Sequence, residues 1–443
     1  MDESLLHDVV SAALKAGADG AEAVGAERQS LSISVRLGEL EEVEREEARD
    51  LGLRVFIGKK QATVSGSNLS PDALARLVER AVAMARLAPD EPYAGLADAE
   101  GLARGPVSAL ELFDPAEPTA AEMEDQALAT EAAARAVPGV TNSDGASASW
   151  SSGRWRLVTS SGFSGLSEAT AFSLSAAAIA GEGSAMEVGG EGRSMRWRAE
   201  LPAPEEIGAE AGRRAVQRLG ARKIASTTAP VIFENRLASS LIGPLIGAIA
   251  GPAIARGASF LKDKLGETIF PDSFELIEDP HLPRRLGSTP FDDEGVENRR
   301  RALIDKGVLT TWLLNSASAR QLGMKTTGHA SRGLAGPPGV STSNLTVTPG
   351  TRDLAGLMAD AGSGVLVTSM FGPSLNGNTG DWSVGVSGLW FENGEIAYPI
   401  NEITVAGNLL DLWKRVVVGS DLEIRGSANS PSLLIDAVAI AGK

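Results

Sequence analysis

The sequence predicts an α+β fold, with helices flanking antiparallel sheets, and three observations lead to this class. The N-terminal residues read as a helix, a meander of strands and a second helix. Strict alternation of apolar and polar residues then dominates residues 150–179. The C-terminal half repeats hairpin signals, which is typical of a mainly β domain. The 50 glycines and the low aromatic content of 5% agree with many turns and with cores built from small side chains.

The predicted N-terminal unit begins with a helix over residues 3–16, which Gly17 terminates. The alternating segment "LSISVRL" follows as a strand, and "ELEEVEREEAR" continues beyond Gly38. The segments "LGLRVFI" and "QATVSGS" flank a "GKK" turn and predict a hairpin. Ser70 and Pro71 then open a second helix, because proline is favoured in a first helical turn.

A connecting segment follows, because five prolines fall between residues 89 and 118. Thr119 and Glu122 have the spacing of a capping box and predict a helix that ends near residue 137. The alternating residues 150–179 predict antiparallel strands. A further helix is predicted over residues 204–219.

The main boundary is placed near Ser226, and beyond it hairpins are predicted at "IDKG", "ENGE" and "VGSDLE". A glycine-rich helix is predicted near the start of this part. The chain is therefore divided into an N-terminal α+β domain (1–100), a middle helix-and-sheet region that continues it (101–225) and a C-terminal mainly β domain (226–443).

The composition argues against several classes of function. A net charge of −16 disfavours a nucleic-acid surface, and the cluster Arg299–Arg301 is interpreted as a solvated face. The absence of cysteine excludes disulfides and thiolate metal sites. The acidic start "MDESLLHDVV" does not resemble a secretory signal. We therefore expect a cytoplasmic protein.

The uncharged run Leu237–Ala255 could be read as a membrane span, since Gly243, Gly247 and Gly251 recur every four residues. However, Pro244 interrupts the run, small residues dominate it and no aromatic belt flanks it. The interpretation favoured here is a soluble helix packed on a sheet, without membrane contact.

The three histidines, at positions 7, 281 and 329, have no second histidine at helical spacing. They are interpreted as surface or hydrogen-bonded side chains and not as zinc ligands. The acidic segment "FDDEG" (Asp292, Asp293, Glu294) lacks the alternating spacing of a calcium loop, so we expect a solvated turn.

A serine hydrolase is a further hypothesis, because Ser259 and Lys262 have the spacing that places an amine base beside a hydroxyl on a helix. The other two boxes of the penicillin-binding enzymes fit poorly, since "KTTG" has an extra threonine and Ser143-Asp144 precedes the first box. The Ser-Lys pattern therefore carries little weight by itself.

Several longer motifs resemble one family. The segment Asn378–Trp413, "NTGDWSVGVSGLWFENGEIAYPINEITVAGNLLDLW", resembles the C-terminal signature of the TldD/PmbA family (peptidase U62, "modulator of DNA gyrase"), and specifically its PmbA (TldE) branch. "STPFDDEG" and "ARQLGMKTTGHA" match the same branch, and the order of elements agrees over nearly the whole chain.

The resemblance implies a specific site. In the TldD branch a helix carries His-Glu-x-x-x-His, and a later cysteine completes the zinc site. Alignment of that motif with "LIGPLIGA" places Gly243 at the first histidine, Pro244 at the glutamate and Ala248 at the second histidine. None of these side chains can ligate zinc or deprotonate water. The resemblance therefore implies no catalytic residue, cofactor or metal in this chain.

By the same resemblance, the leading hypothesis is a noncatalytic subunit that pairs with a TldD-type zinc metallopeptidase acting on unfolded peptides. The zinc is expected in the partner subunit. Asn378, Thr379, Gly380 and Asp381 are the candidate residues of a peptide or partner groove. The alternatives are a stand-alone regulatory protein of the gyrase-modulator type and the Ser259–Lys262 hydrolase. The physiological substrate and the oligomeric state of the isolated chain, including a homodimer, stay open.

Overall fold

The computed structural model describes residues 1–105 and 109–443. Helices pack on antiparallel sheets, and the C-terminal part is rich in strands, which confirms the predicted α+β class. Residues 106–108 belong to the predicted connecting segment and lie outside the described residues.

The N-terminal part forms one antiparallel sheet with the strand order β3-β2-β1-β4-β5-β6. Its elements are α1 Glu3–Lys15, β1 Gly20–Arg36, β2 Glu39–Ile57, β3 Lys60–Gly66, α2 Pro71–Leu87, α3 Ala120–Arg135, β4 Val140–Thr159, β5 Ser164–Ala180, β6 Glu187–Met195 and α4 Pro204–Gln217, with 3₁₀ turns at Ala99–Gly101, Gly183–Ala185 and Arg198–Glu200. The sheet therefore runs through both the first and the middle part of the chain.

Local sequence signals explain several of these boundaries. The capping box forms, because the Thr119 hydroxyl accepts the N–H of Glu122 (3.2 Å) and the Glu122 carboxylate accepts the N–H of Thr119 (2.8 Å). Leu37 and Gly38 both have positive φ angles in the turn between β1 and β2. This is the backbone conformation of a tight two-residue hairpin loop.

The two faces of this sheet have different partners. On one face, Ala21 and Ala23 of β1 pack in the cluster under α1 and α2, and Ile33 packs in the cluster under α3 and α4. Successive strand residues point to opposite faces. Val24 accordingly packs with Phe291 of the C-terminal part. The helices thus cover one face, and the C-terminal part contacts the other.

The C-terminal part contains two larger sheets and a group of short helices. Its elements are β7 Thr227–Phe233, α5 Asn235–Ala238, a 3₁₀ turn Ser239–Leu241, α6 Gly243–Ala248, α7 Gly251–Ala255, β8 Leu276–Asp279, β9 Arg301–Asp305, β10 Val308–Leu309, α8 Ser316–Leu322, β11 Ala330–Ser331, β12 Gly339–Val340, β13 Asn344–Val347, α9 Leu354–Ala361, β14 Gly364–Leu375, β15 Asp381–Glu392, β16 Glu395–Asn408, α10 Leu409–Trp413, β17 Val416–Val418, β18 Ala428–Asn429 and β19 Leu433–Ala441.

The larger of these sheets has the order β16-β15-β14-β7-β19-β17, and β16 also pairs with β19. This extra pairing closes five of the strands into a ring. The second sheet has the order β10-β9-β8-β13-β18. The main apolar cluster lies between the ring and the helices that follow β7, and it includes Phe233, Leu245 and Trp413.

Two of the three predicted C-terminal hairpins form. The "IDKG" and "ENGE" turns place Lys306–Gly307 and Asn393–Gly394 at positive φ between paired strands. The prediction of a hairpin at "VGSDLE" is wrong, because β17 pairs with β19 and not with β18, the next strand in the chain. There the Asp421 carboxylate accepts the N–H and the hydroxyl of Ser432, which holds an irregular segment in place.

Candidate functional site

The run Leu237–Ala255 forms several short helices, so the prediction of one continuous glycine-rich helix is wrong. Pro244 and Pro252 lie in the first turns of α6 and α7, because proline lacks the N–H that an interior helical position requires. In the described part of the chain no helix is long and apolar enough to cross a membrane.

Helix α6 carries the three positions that align with the zinc-binding motif. Gly243 is exposed, Pro244 is half-buried and Ala248 is 7% exposed. A Cβ atom placed on Gly243 or Gly247 would meet no atom within 4 Å, so this face of α6 borders open space. The helix therefore presents an accessible surface that carries no metal-binding side chain.

The residues after α7 connect α6 to the "NTGDW" loop. The buried hydroxyl of Ser259 donates to the carbonyl of Ala248 at 2.6 Å and accepts the N–H of Leu261 at 3.0 Å. The N–H of Phe260 donates to the carbonyl of Gly377 at 2.9 Å. Two adjacent residues thus hold the end of α6 beside the loop between β14 and β15.

The same contacts contradict the serine-hydrolase hypothesis. Ser259 lies in an irregular segment and not on a helix, and its hydroxyl is committed to a backbone carbonyl. The Lys262 side chain is exposed, and only its backbone N–H bonds to Ser259 (3.3 Å). A nucleophile needs a base within hydrogen-bond reach, which this pair lacks.

The candidate groove residues form an exposed and locally ordered turn. The Thr379 hydroxyl donates to the Asp381 carboxylate at 2.7 Å, and the Asn408 amide donates to the Thr379 carbonyl (2.8 Å) and to Asp381 (3.1 Å). The bonds from Thr379 and Asn408 lower the pKa of Asp381. Gly380 has φ +82° and lies against Phe260, so a side chain there would be strained. Asn378 and Asp381 remain exposed.

The "FDDEG" segment is buried, so the prediction of a solvated turn is wrong. Asp292 is 4% exposed and accepts three backbone N–H bonds, from Glu294 (2.9 Å), Val296 (2.8 Å) and Ala330 (3.0 Å). Burial and the neighbouring Glu294 carboxylate raise the pKa of Asp292 to about 8. Burial also raises the pKa values of Asp293 and Glu294.

A second buried group of polar side chains adjoins this segment. His329 is 4% exposed and lies 2.6 Å from Glu278 through Nε2 and 2.7 Å from the Thr327 hydroxyl through Nδ1. Glu278 also accepts the N–H (2.7 Å) and the hydroxyl (3.0 Å) of Ser343. Burial opposes ionisation of Glu278, but the bonds from His329 and Ser343 outweigh it and lower its pKa. The interpretation of His329 as a hydrogen-bonded histidine is confirmed.

The other two histidines have simpler surroundings. His281 lies 2.8 Å from the side-chain amide oxygen of Asn298 through Nε2, and His7 is exposed on α1. Arg299 and Arg300 are exposed, as the sequence predicts, whereas Arg301 is half-buried.

The acidic segment also takes part in the junction between the two halves of the molecule. Glu22 of β1 is buried and binds Arg54 of β2 (3.1 Å) as well as Arg332 of the C-terminal part. The backbone N–H of Arg332 donates to Asp293 at 2.8 Å. We name the group Glu278, Asp292, Asp293, Glu294, His329 and Arg332 the junction network. Nothing in the residue spacing predicted this network. Two of the motifs that carry the family resemblance, "STPFDDEG" and "ARQLGMKTTGHA", nevertheless contribute residues to it.

The donor atoms in the structure do not fit a zinc site. The aligned positions on α6 offer hydrogen, a proline ring and a methyl group. Among residues 1–105 and 109–443, no group of three His, Asp or Glu side chains is arranged to hold a metal ion. The ionisable side chains of the junction network are instead bonded to one another and to the backbone.

The comparisons with known proteins identify the family. The sequence matches the models of PmbA/TldA metallopeptidase domain 1 over residues 21–85, the central domain over 113–219 and the C-terminal domain over 226–442. It is 40% identical to the metalloprotease PmbA of Escherichia coli O157:H7, over 99% of this chain and 96% of that protein. The chain therefore belongs to the PmbA/TldD metallopeptidase family, as the sequence motifs indicated.

Solved structures share the whole architecture. A protein from Bacteroides thetaiotaomicron described as a modulator of DNA gyrase superposes with a TM-score of 0.92 at 28% identity, covering 100% of this chain and 99% of that one. TldE from Thermococcus kodakarensis superposes with a TM-score of 0.88 at 21% identity, covering 99% of this chain and 100% of that one. The latter likeness concerns the fold alone.

Proposed function

We propose that this chain is a metal-free subunit that pairs with a TldD-type zinc metallopeptidase subunit and completes the cavity in which unfolded peptides are cleaved. The observation that carries the proposal is helix α6. It holds Gly243, Pro244 and Ala248 where the catalytic branch of the family carries zinc ligands and a general base, and of these Gly243 is exposed, Pro244 half-buried and Ala248 buried. The hydrolytic chemistry must therefore come from another chain.

The surroundings of α6 support a role in shaping a shared cavity. The Gly243–Gly247 face borders open space, and the exposed residues Asn378, Thr379 and Asp381 belong to the loop that is linked to the end of α6 through Ser259 and Phe260. These polar groups can contact peptide backbone, which provides donors and acceptors at every residue. The Ser259–Ala248 and Phe260–Gly377 hydrogen bonds keep the helix and the loop together.

The test compares this chain alone with this chain coexpressed with a subunit that carries His-Glu-x-x-x-His. Alone, we expect far less than one zinc per chain and no cleavage of an unfolded casein substrate. The copurified pair should cleave it, and replacement of the first histidine of the partner's motif should abolish cleavage. One zinc per chain retained through dialysis of this chain alone, or cleavage without a partner, would overturn the proposal.

A variant of this chain tests the role of the α6 face. Gly247→Gln places a long side chain in the open space and should reduce cleavage by the pair without unfolding this subunit. Gly153→Gln is the matched control, because a Cβ at Gly153 on β4 also meets nothing within 4 Å. Equal activity of the two variants would show that α6 does not line the cavity in which peptides are cleaved. Recovery of gyrase without any peptidase subunit would favour the regulatory alternative.

A further inference from the structure

A second pocket lies away from α6, where the connecting segment meets the C-terminal part. It has a volume of about 590 Å³ and is lined by Asp98, Glu100 and Gly101 on one side and by residues of α8 and the "MKTT" segment on the other. This volume lies within the range of small-molecule and peptide side-chain pockets. Neither the α6 site nor its loop contributes to the lining.

The cations of this pocket are only partly neutralised. Arg320 binds Asp98 at 3.0 Å, and Arg299 lies 3.7 Å from Glu297. Arg301 and Lys325 have no carboxylate within 4 Å in the described part of the chain. Arg301 is half-buried, and one of its nitrogens donates to the carbonyl of Thr327, which fixes the position of the guanidinium.

The other residues that line the pocket include apolar side chains, which a site for a simple inorganic anion would not need. Val296, Ala319 and Met324 provide an apolar wall, and Met324 is 41% exposed. Ser316 also lines the pocket, and its backbone N–H donates to the buried Glu294 carboxylate at 2.8 Å. A ligand that combines an anionic group with an apolar group would match both parts of the lining. Glu100 and Glu297 at the same pocket disfavour a ligand of high negative charge.

We propose that this pocket binds the C-terminal residue of a peptide, with its carboxylate beside Arg301 and Lys325 and its apolar side chain against Val296, Ala319 and Met324. This inference rests on the proposed function, because it names the part of a peptide that this subunit recognises. Free inorganic phosphate shares the anionic chemistry but lacks the apolar group.

The experiment is calorimetric titration of the full chain with three probes. They are an acetylated tetrapeptide that ends in leucine with a free carboxylate, the same peptide with a C-terminal amide, and inorganic phosphate. A hydrogen-bonded charge pair contributes enough that the free acid should bind at least about tenfold more tightly than the amide. Equal binding of acid and amide, absence of peptide binding, or binding of phosphate alone would overturn the proposal.

Variants connect the binding to the named residues. Arg301→Gln should weaken binding of the free acid by about tenfold or more and leave binding of the amide unchanged. Lys325→Gln, at an exposed position, should act in the same direction and keeps the test valid if Arg301→Gln disturbs the fold. Arg300→Gln is the matched control, because Arg300 is exposed, faces Asp279 at 3.7 Å and does not line the pocket.

An equal loss in Arg300→Gln would overturn the assignment to this pocket. The titration uses the isolated chain, so its result does not depend on whether a zinc subunit pairs with it. If the pair forms and cleaves but the isolated chain does not distinguish acid from amide, this inference fails and the proposed function stands.

Discussion

The exposed face of α6 and the buried junction network differ in both accessibility and chemistry. The α6 face borders open space and carries no ionisable group, whereas Glu278, Asp292 and His329 are almost fully buried. In the network, shifted pKa values accompany carboxylates that are hydrogen-bonded to backbone and to neighbouring side chains. Perturbed ionisation accompanies structural networks as well as catalytic sites. Here accessibility, and not the density of ionisable groups, distinguishes the candidate functional surface from the scaffold.

The largest expected effect is the loss of Glu278 from the junction network. Glu278→Ala removes the partner of His329 and of both donors of Ser343 and leaves these polar groups buried. Breaking a buried pair of this kind costs about 3–5 kcal/mol. We expect a loss of this size in the free energy of unfolding of the C-terminal part, measured by urea denaturation.

The matched control is Glu395→Ala, which removes an exposed carboxylate at the start of β16. Its free energy of unfolding should change by less than about 0.5 kcal/mol. If Glu278→Ala were as stable as this control, the network would not stabilise the fold. Glu278 and His329 would then have to be reconsidered as functional groups at the adjoining cavity of about 180 Å³.

Gly247 and Gly251, four residues apart, give a smaller effect and test the accessibility of α6. A Cβ at Gly251 would lie 2.5 Å from the Ser318 hydroxyl and 2.8 Å from the Leu313 carbonyl, so Gly251→Ala should destabilise by about 1–3 kcal/mol. Gly247→Ala meets no atom and should be neutral or stabilising by up to about 1 kcal/mol. Thermal unfolding of both variants measures the difference. Equal destabilisation would mean that the α6 face is covered.

Much of the fold follows from signals that are local in the sequence. The capping box at Thr119, proline in the first turn of α6 and the two glycine hairpin turns each specify a few neighbouring residues, and the structure contains all of them. The hairpin predicted at "VGSDLE" does not form, because the partner of β17 is β19, which is not its neighbour in sequence. The long run Leu237–Ala255 was misassigned because uniform apolarity hides the helix breaks that its prolines impose.

The candidate site could be predicted in part. The aligned positions on α6 were found by resemblance, and the structure adds that Gly243 borders open space whereas Ala248 is buried. The burial of "FDDEG" was missed, because three consecutive acidic residues ordinarily indicate a solvated turn. Their burial depends on backbone N–H groups contributed by Val296 and Ala330 and on the approach of Arg332, contacts that residue spacing does not reveal.

The last expected effect is a pH dependence from Asp292. Its folded pKa is raised to about 8, whereas an aspartate in the unfolded chain titrates near pH 4. Between these values the folded state binds the proton that the unfolded state has released, so stability should fall as pH rises and should level off above pH 8. One such proton contributes at most about 1.4 kcal/mol per pH unit. The lowered pKa of Glu278 acts in the opposite sense but only in acidic solution, below this window.

Urea denaturation between pH 5 and pH 9 measures this slope. Asp292→Asn cannot titrate, so its slope should be shallower than that of the wild type, even though the loss of one carboxylate oxygen as an acceptor for Ala330 lowers its stability at every pH. Asp263→Asn, at an exposed position, should keep the wild-type slope. A wild-type stability that rises from pH 5 to pH 8 would show that the three backbone N–H bonds outweigh burial and keep Asp292 ionised. The junction network would then carry a buried negative charge, and its contrast with the uncharged face of α6 would be sharper still.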